Sequence, residues 1–123
     1  MIPAKMNSDT SSPVASWTGI RLFLALTTLY SLTPRQLDIN LAYLNAPLDE
    51  EVYMYPPPGS NTSNELVWRL RKSLYGLRQS GRNWNKRFVN VLCNDEFGFV
   101  QHPGDPCLFT CLRGEEITTC LYT

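Results

Sequence analysis

Three prolines and a glycine in succession, Pro56-Pro57-Pro58-Gly59, interrupt the middle of the chain. Three consecutive residues without a backbone donor cannot join a hydrogen-bonded ladder, so any sheet has to be left here. Before them, Gln36 to Asn40 reads as a short strand, Leu41 to Asn45 as a tight turn or one helical turn, and Val52 to Tyr55 as a further extended piece. After them the polar run Ser60 to Asn64 continues the loop. Leu66, Trp68 and Leu70 then alternate with Val67, Arg69 and Arg71, which predicts a strand with one buried face and one largely basic, wet face.

Within the first of these strands, Asp38 stands among Leu37, Ile39 and Leu41. A charge buried there is costly unless a cation or strong donors sit beside it. The plain alternative is an Asp at a strand end that caps the next turn.

Two helices bracket this region. Ser12-Pro13 offers a capping hydroxyl followed by proline in the first turn, and Thr33-Pro34 stops the segment. Between them Trp17, Ile20 and Leu24 share one face and Leu22, Leu26 and Leu29 the next, so this helix is expected to be buried. It is too short to span a bilayer, for which about 20 apolar residues are needed. Gly76 then breaks the strand pattern, and from about Gln79 to Asn94 the set Trp84, Phe88, Val91 and Leu92 keeps the spacing of an amphipathic helix. Further on, Phe99 to Gln101 is a brief strand and His102 to Pro106 a loop. Cys107 to Arg113 and Ile117 to Tyr122 flank Gly114-Glu115 as a hairpin.

A chain of 123 residues with 43% apolar and 18% charged residues suits one globular domain, and nine prolines imply many turns. Residues 1–11 are polar and aperiodic and read as a disordered lead-in to a domain over 12–123. Four cysteines without a secretory signal suggest reduced thiols inside a cell, and the sequon Asn61-Thr62-Ser63 then carries no sugar. Zinc is disfavoured as well. Cys107 and Cys111 on one strand lie about 13 Å apart at roughly 3.3 Å per residue, and neither they, Cys120 nor His102 fit a knuckle spacing.

Net charge is zero, but its distribution is uneven. Arg69, Arg71, Lys72, Arg78, Arg82, Lys86 and Arg87 are seven of the eleven basic residues, gathered in nineteen positions with no acid among them. Their mutual repulsion suggests a polyanionic partner, with a solvated basic face as the alternative. Tyr75-Gly76, between a strand and a helix, adds a place where backbone approaches a ligand closely, or else a simple turn.

Taken together, the segments LDIN-AYLN, EEVYM-PPPG and KSLYGLRQSG-NW resemble the reverse transcriptase domain of copia-type (pseudovirus) retrotransposons, from about Ser12-Pro13-Val14 to Thr123. That resemblance implies an α+β fold, a partial palm with part of the fingers, with an antiparallel sheet packed on two helices. It implies Asp38 as a catalytic, metal-binding carboxylate with the Ile39 carbonyl beside it, Mg²⁺ as cofactor, and Tyr43 under the incoming sugar, favouring deoxynucleotides. Tyr75 and Gly76 match the nucleotide-pocket turn, and Leu41 stands where retroviral relatives carry a second Asp. The expected partners are an RNA or DNA template-primer and a dNTP. Arg78 and the helix it leads into would lie near the template strand, while the charge cluster itself offers Arg69, Arg71, Lys72, Arg78, Arg82 and Lys86 as nucleic-acid contacts, and no membrane is expected.

In such enzymes two Mg²⁺ ions about 3.5–4 Å apart stabilise the attacking and leaving oxygens, and one carboxylate cannot hold both. The resemblance puts the other carboxylates, an Asp-Asp pair, directly after an aromatic-x step that Tyr122-Thr123 matches. The chain by itself is therefore expected to be inactive. The strand following that pair would lie between those of Asp38 and Ile117 to Tyr122, whose edges are expected to be bare. Alternative readings are a non-catalytic nucleic-acid-binding remnant and a non-functional reading frame. The parent enzymes work inside cytoplasmic particles or the nucleus.

Overall fold

The computed structural model describes residues 11–61 and 66–123. The expected disorder of residues 1–10 and the loop over 62–64 lie outside the described residues. The fold is α+β, with two helices and antiparallel sheets. No described helix is long and apolar enough to cross a membrane. Two units form, one of Asn40–Trp84 and one of Ser12–Ile39 with Asn85–Thr123.

The second unit is built on a three-stranded antiparallel sheet of β1 (Val100–His102), β2 (Asp105–Arg113) and β3 (Glu116–Leu121), with β2 central. Helix α1 (Trp17–Leu29) packs on β2 and β3. The hairpin turn falls where Gly114-Glu115 predicted it: Arg113 pairs Glu116, and Gly114 has a φ of 62°. Strand β2 begins two residues early, at Asp105, inside the expected loop, because a register shift at Gln101/His102 lets His102 pair Asp105. Cys107, Phe109 and Cys111 alternate along it and are buried, as is Leu108 on the opposite face. Phe88 meets Phe109 edge-on at 5.9 Å and Tyr122 at 4.6 Å. The hydrophobic core of this unit is that strand.

Helix α1 departs from expectation at its start and in its burial. Its cap is Ser16, not Ser12: the Ser16 hydroxyl accepts from Gly19 N–H at 2.9 Å. The same hydroxyl donates to Asp105 Oδ2 at 2.6 Å, which fixes the helix start against the first residue of β2. Cys107 N–H donates to the other oxygen of that carboxylate at 2.9 Å. Only one face packs, and Gly19 is the sole buried residue of the helix, while Trp17 is 75% and Leu29 74% exposed. A helix lying on one side of a sheet covers only the stripe that meets it.

The first unit contains a short ribbon, β4 (Tyr53–Met54) paired with β5 (Trp68–Arg69). The alternation of Leu66, Trp68 and Leu70 does not bury a face. Leu66 is 57% and Trp68 39% exposed, because no described element covers the ribbon. The buried residues of this unit are Ala46, Ser73, Ser80, Asn83 and Trp84, a small and mostly polar set. Helix α2 (Ser80–Leu92) gives its first turn to this unit and the remainder to the other.

Gln36 to Asn40 is not a strand. It is irregular and exposed throughout, with Leu37 91% exposed. Without a neighbour to take its backbone groups, an extended apolar pattern forms no ladder.

Candidate functional site

The site of the first unit starts at Leu41, whose left-handed backbone (φ 54°) turns the chain into a 3-10 turn over Ala42–Asn45. Leu44 N–H donates to Leu41 C=O at 2.9 Å, and the Asn45 side-chain amide donates to the Asn40 and Leu41 carbonyls. The chain then buries Ala46, whose carbonyl accepts from Ser73 N–H at 3.0 Å, and Pro47 bridges Lys72. This contact brings two remote turns together. Tyr43 and Tyr75 lie with ring centroids 4.5 Å apart, tilted by 39°.

The Tyr75 turn is held from its other side by α2. The Ser80 hydroxyl donates to Leu74 C=O at 2.5 Å, one residue before Tyr75. Gly76 follows with a φ of 92° and open space where a Cβ would stand, so backbone conformation demands glycine there and packing does not. Tyr75 is 65% exposed and Tyr43 half-buried, so the pair forms an aromatic platform open to solvent.

Further polar contacts complete the surroundings. Asp49 receives Arg82 as an ion pair and the Asn83 side-chain amide at 3.1 Å, tying the first turn of α2 to the segment after the 3-10 turn. Glu51 pairs with Arg69 at 2.8 Å and accepts from the Tyr53 hydroxyl at 3.0 Å. That bond, then the nearby charge, pushes the Tyr53 phenol up from its usual range. The Arg69–Glu51 pair is well exposed and contributes at most about 1 kcal/mol. Arg71, Lys72, Arg78, Lys86 and Arg87 are exposed without an ion pair among the described residues.

Asp38 and Ile39 are both exposed and belong to the other unit. The premise of a carboxylate enclosed in an apolar strand therefore does not hold. Among the described residues no three His, Cys, Asp or Glu side chains converge as a metal site would require. One carboxylate and one carbonyl are a partial donor set, since Mg²⁺ takes six oxygens in near-octahedral array, and they do not make a two-ion centre. All four cysteines are free. Burial, and then the Asp105 charge, push the Cys107 thiol up, and burial does the same for Cys120.

The chain belongs to the reverse transcriptase (RNA-dependent DNA polymerase) family, whose model it matches over residues 1–122. That match takes in the opening residues as well, where the motifs had no counterpart. The chain is similar to the retrovirus-related Pol polyprotein from transposon RE1 of Arabidopsis thaliana, at 40% identity over 112 residues, 89% of this chain and 8% of that protein. It is similar to the transposon Ty1-BL Gag-Pol polyprotein of Saccharomyces cerevisiae, at 40% identity over 117 residues, 95% of this chain and 6% of that protein. These relatives make it, more narrowly, a reverse transcriptase segment of the copia type, and it spans less than a tenth of their length. No solved structure matches significantly.

Proposed function

We propose that this chain is the part of a retrotransposon RNA-directed DNA polymerase, palm with some of the fingers, that floors the nucleotide pocket and faces the template-primer. The observation that carries this reading is the Tyr43–Tyr75 contact. Two residues 32 positions apart, matched independently to the sugar platform and the pocket turn, stand against each other with Gly76 beside them. In that reading Tyr43 underlies the deoxyribose and leaves no room for a 2′-hydroxyl. Tyr75 and the Gly76 backbone border the base and phosphates, and the basic tract from Arg69 to Lys86 meets the template strand.

Asp38 would supply one carboxylate to Mg²⁺, with the Ile39 carbonyl nearby. Because one carboxylate cannot hold two ions, the chain alone is proposed to make no product.

The test uses the polymerase of the parent element. Tyr43→Ala should raise the incorporation of ribonucleotides relative to deoxynucleotides by tenfold or more, a change of about 1.4 kcal/mol or more in discrimination. Asp38→Asn should abolish extension while leaving template-primer binding intact. Unchanged sugar discrimination in the first variant would overturn the pocket assignment. Primer extension by the purified 123-residue chain would overturn its inactivity.

A further inference from the structure

The tract from Arg69 to Arg87 contains no acid in sequence, yet part of its charge is already answered within the fold. Arg69 is paired with Glu51 at 2.8 Å, and Arg82 is bound to Asp49, which Asn83 also holds. Asp49, Glu50 and Glu51 line an open groove with Arg69, Leu70 and Arg71, so three carboxylates there face two guanidinium groups. A phosphate approaching Arg69 must displace Glu51 and then lie among carboxylates. Lys72 and Arg78 differ: both are exposed, and neither has an ion pair among the described residues.

We infer that the acidic turn Asp49-Glu50-Glu51 is a built-in occupant of one end of the basic surface, so that a nucleic-acid backbone is met by Lys72 and Arg78 and not by Arg69 or Arg82. This rests on the proposed nucleic-acid contact of the tract and narrows it. Arg82 then acts as a positioning residue, holding the chain after the 3-10 turn against α2, while Arg69 is neutralised at the surface. The turn serves two ends: it anchors the platform side of the unit, and it keeps the polyanion to the side where Arg78 leads into α2.

The experiment is a titration of a short labelled DNA duplex with the full chain, repeated from about 50 to 200 mM salt, reading the slope of log affinity against log salt. Each phosphate contact contributes about −0.9 to that slope. Arg78→Gln should flatten it by about 0.9, whereas Arg69→Gln, an equal loss of charge at an exposed position, should leave it unchanged. Glu51→Gln should steepen it by about 0.9, and the Glu51→Gln, Arg69→Gln double variant should restore the native value. Equal flattening by Arg69→Gln and Arg78→Gln, or no effect of Glu51→Gln, overturns the inference and leaves nucleic-acid binding standing. Absence of binding by both the native chain and Glu51→Gln overturns the binding reading together with it.

Discussion

Replacing Gly19 by alanine tests how α1 is fixed to the sheet. The added Cβ would lie well inside van der Waals contact of Asp105 Oδ2, 3.1 Å from Asp105 Cγ and 3.3 Å from Ser16 Oγ. That carboxylate is not a loose side-chain end, because the Ser16 hydroxyl and Cys107 N–H hold its two oxygens at 2.6 and 2.9 Å. Forcing a methyl group into filled space costs about 1–3 kcal/mol, and alanine returns up to about 1 kcal/mol over glycine in a helix. The steric effect wins, and a net loss of about 1–2 kcal/mol is expected. At a slope of about 1–2 kcal/mol per molar urea, the unfolding midpoint followed by circular dichroism falls by about 1 M. In an Asp105→Ala background the space opens, and the same substitution becomes neutral or stabilising; the difference between backgrounds measures the contact itself. A higher midpoint for Gly19→Ala in the otherwise native chain would refute the packing argument.

The Ser16 hydroxyl bond, followed by the Cys107 N–H, holds the Asp105 carboxyl below the usual carboxylate range. A carboxylate lowered by folding stabilises above its unfolded value near 4 and loses that contribution as pH falls through the folded value. Urea midpoints of the native chain should therefore drop more steeply below about pH 4 than those of Asp105→Asn, and parallel profiles would contradict this. Leu41 is 62% exposed and left-handed, so Leu41→Asn should gain about 1 kcal/mol, seen as a higher midpoint. Asn83→Ala leaves Asp49 without its second donor and should cost about 1–2 kcal/mol, while Asn90→Ala on the exposed side of α2 should cost little.

The hairpin and α2 were legible because their signals are local. Gly114-Glu115 sits between two runs of strand-forming residues, and Trp84, Phe88, Val91 and Leu92 repeat at helical spacing. Covering surfaces are not local. The alternation of Leu66, Trp68 and Leu70 marks a face without stating what lies on it, and Gln36 to Asn40 carries a strand's composition with no described neighbour to complete its ladder. The helix start was misplaced for a related reason. Both Ser12 and Ser16 can cap, and Ser16 is selected by Asp105, 89 residues away. At the site, Tyr43, Tyr75 and Gly76 were readable as motif positions, whereas Asp49 was not, because its meaning lies in Arg82 and Asn83, more than thirty residues downstream. The basic tract looked uncompensated for the same reason: its counter-charges precede it in the chain.

The Ser16–Asp105 bond joins the two sequence segments of the second unit, which residues 40–84 separate along the chain. A ribosome adding about 5–20 residues per second delivers α1 roughly 5–20 seconds before the strand it rests on. During that interval Phe23 and Leu26, the side of the helix destined for the sheet, are as uncovered as Trp17 and Leu29 are in the finished fold. Nascent α1 thus carries an apolar side without its cover, and slower translation between residues 40 and 104 would lengthen that interval.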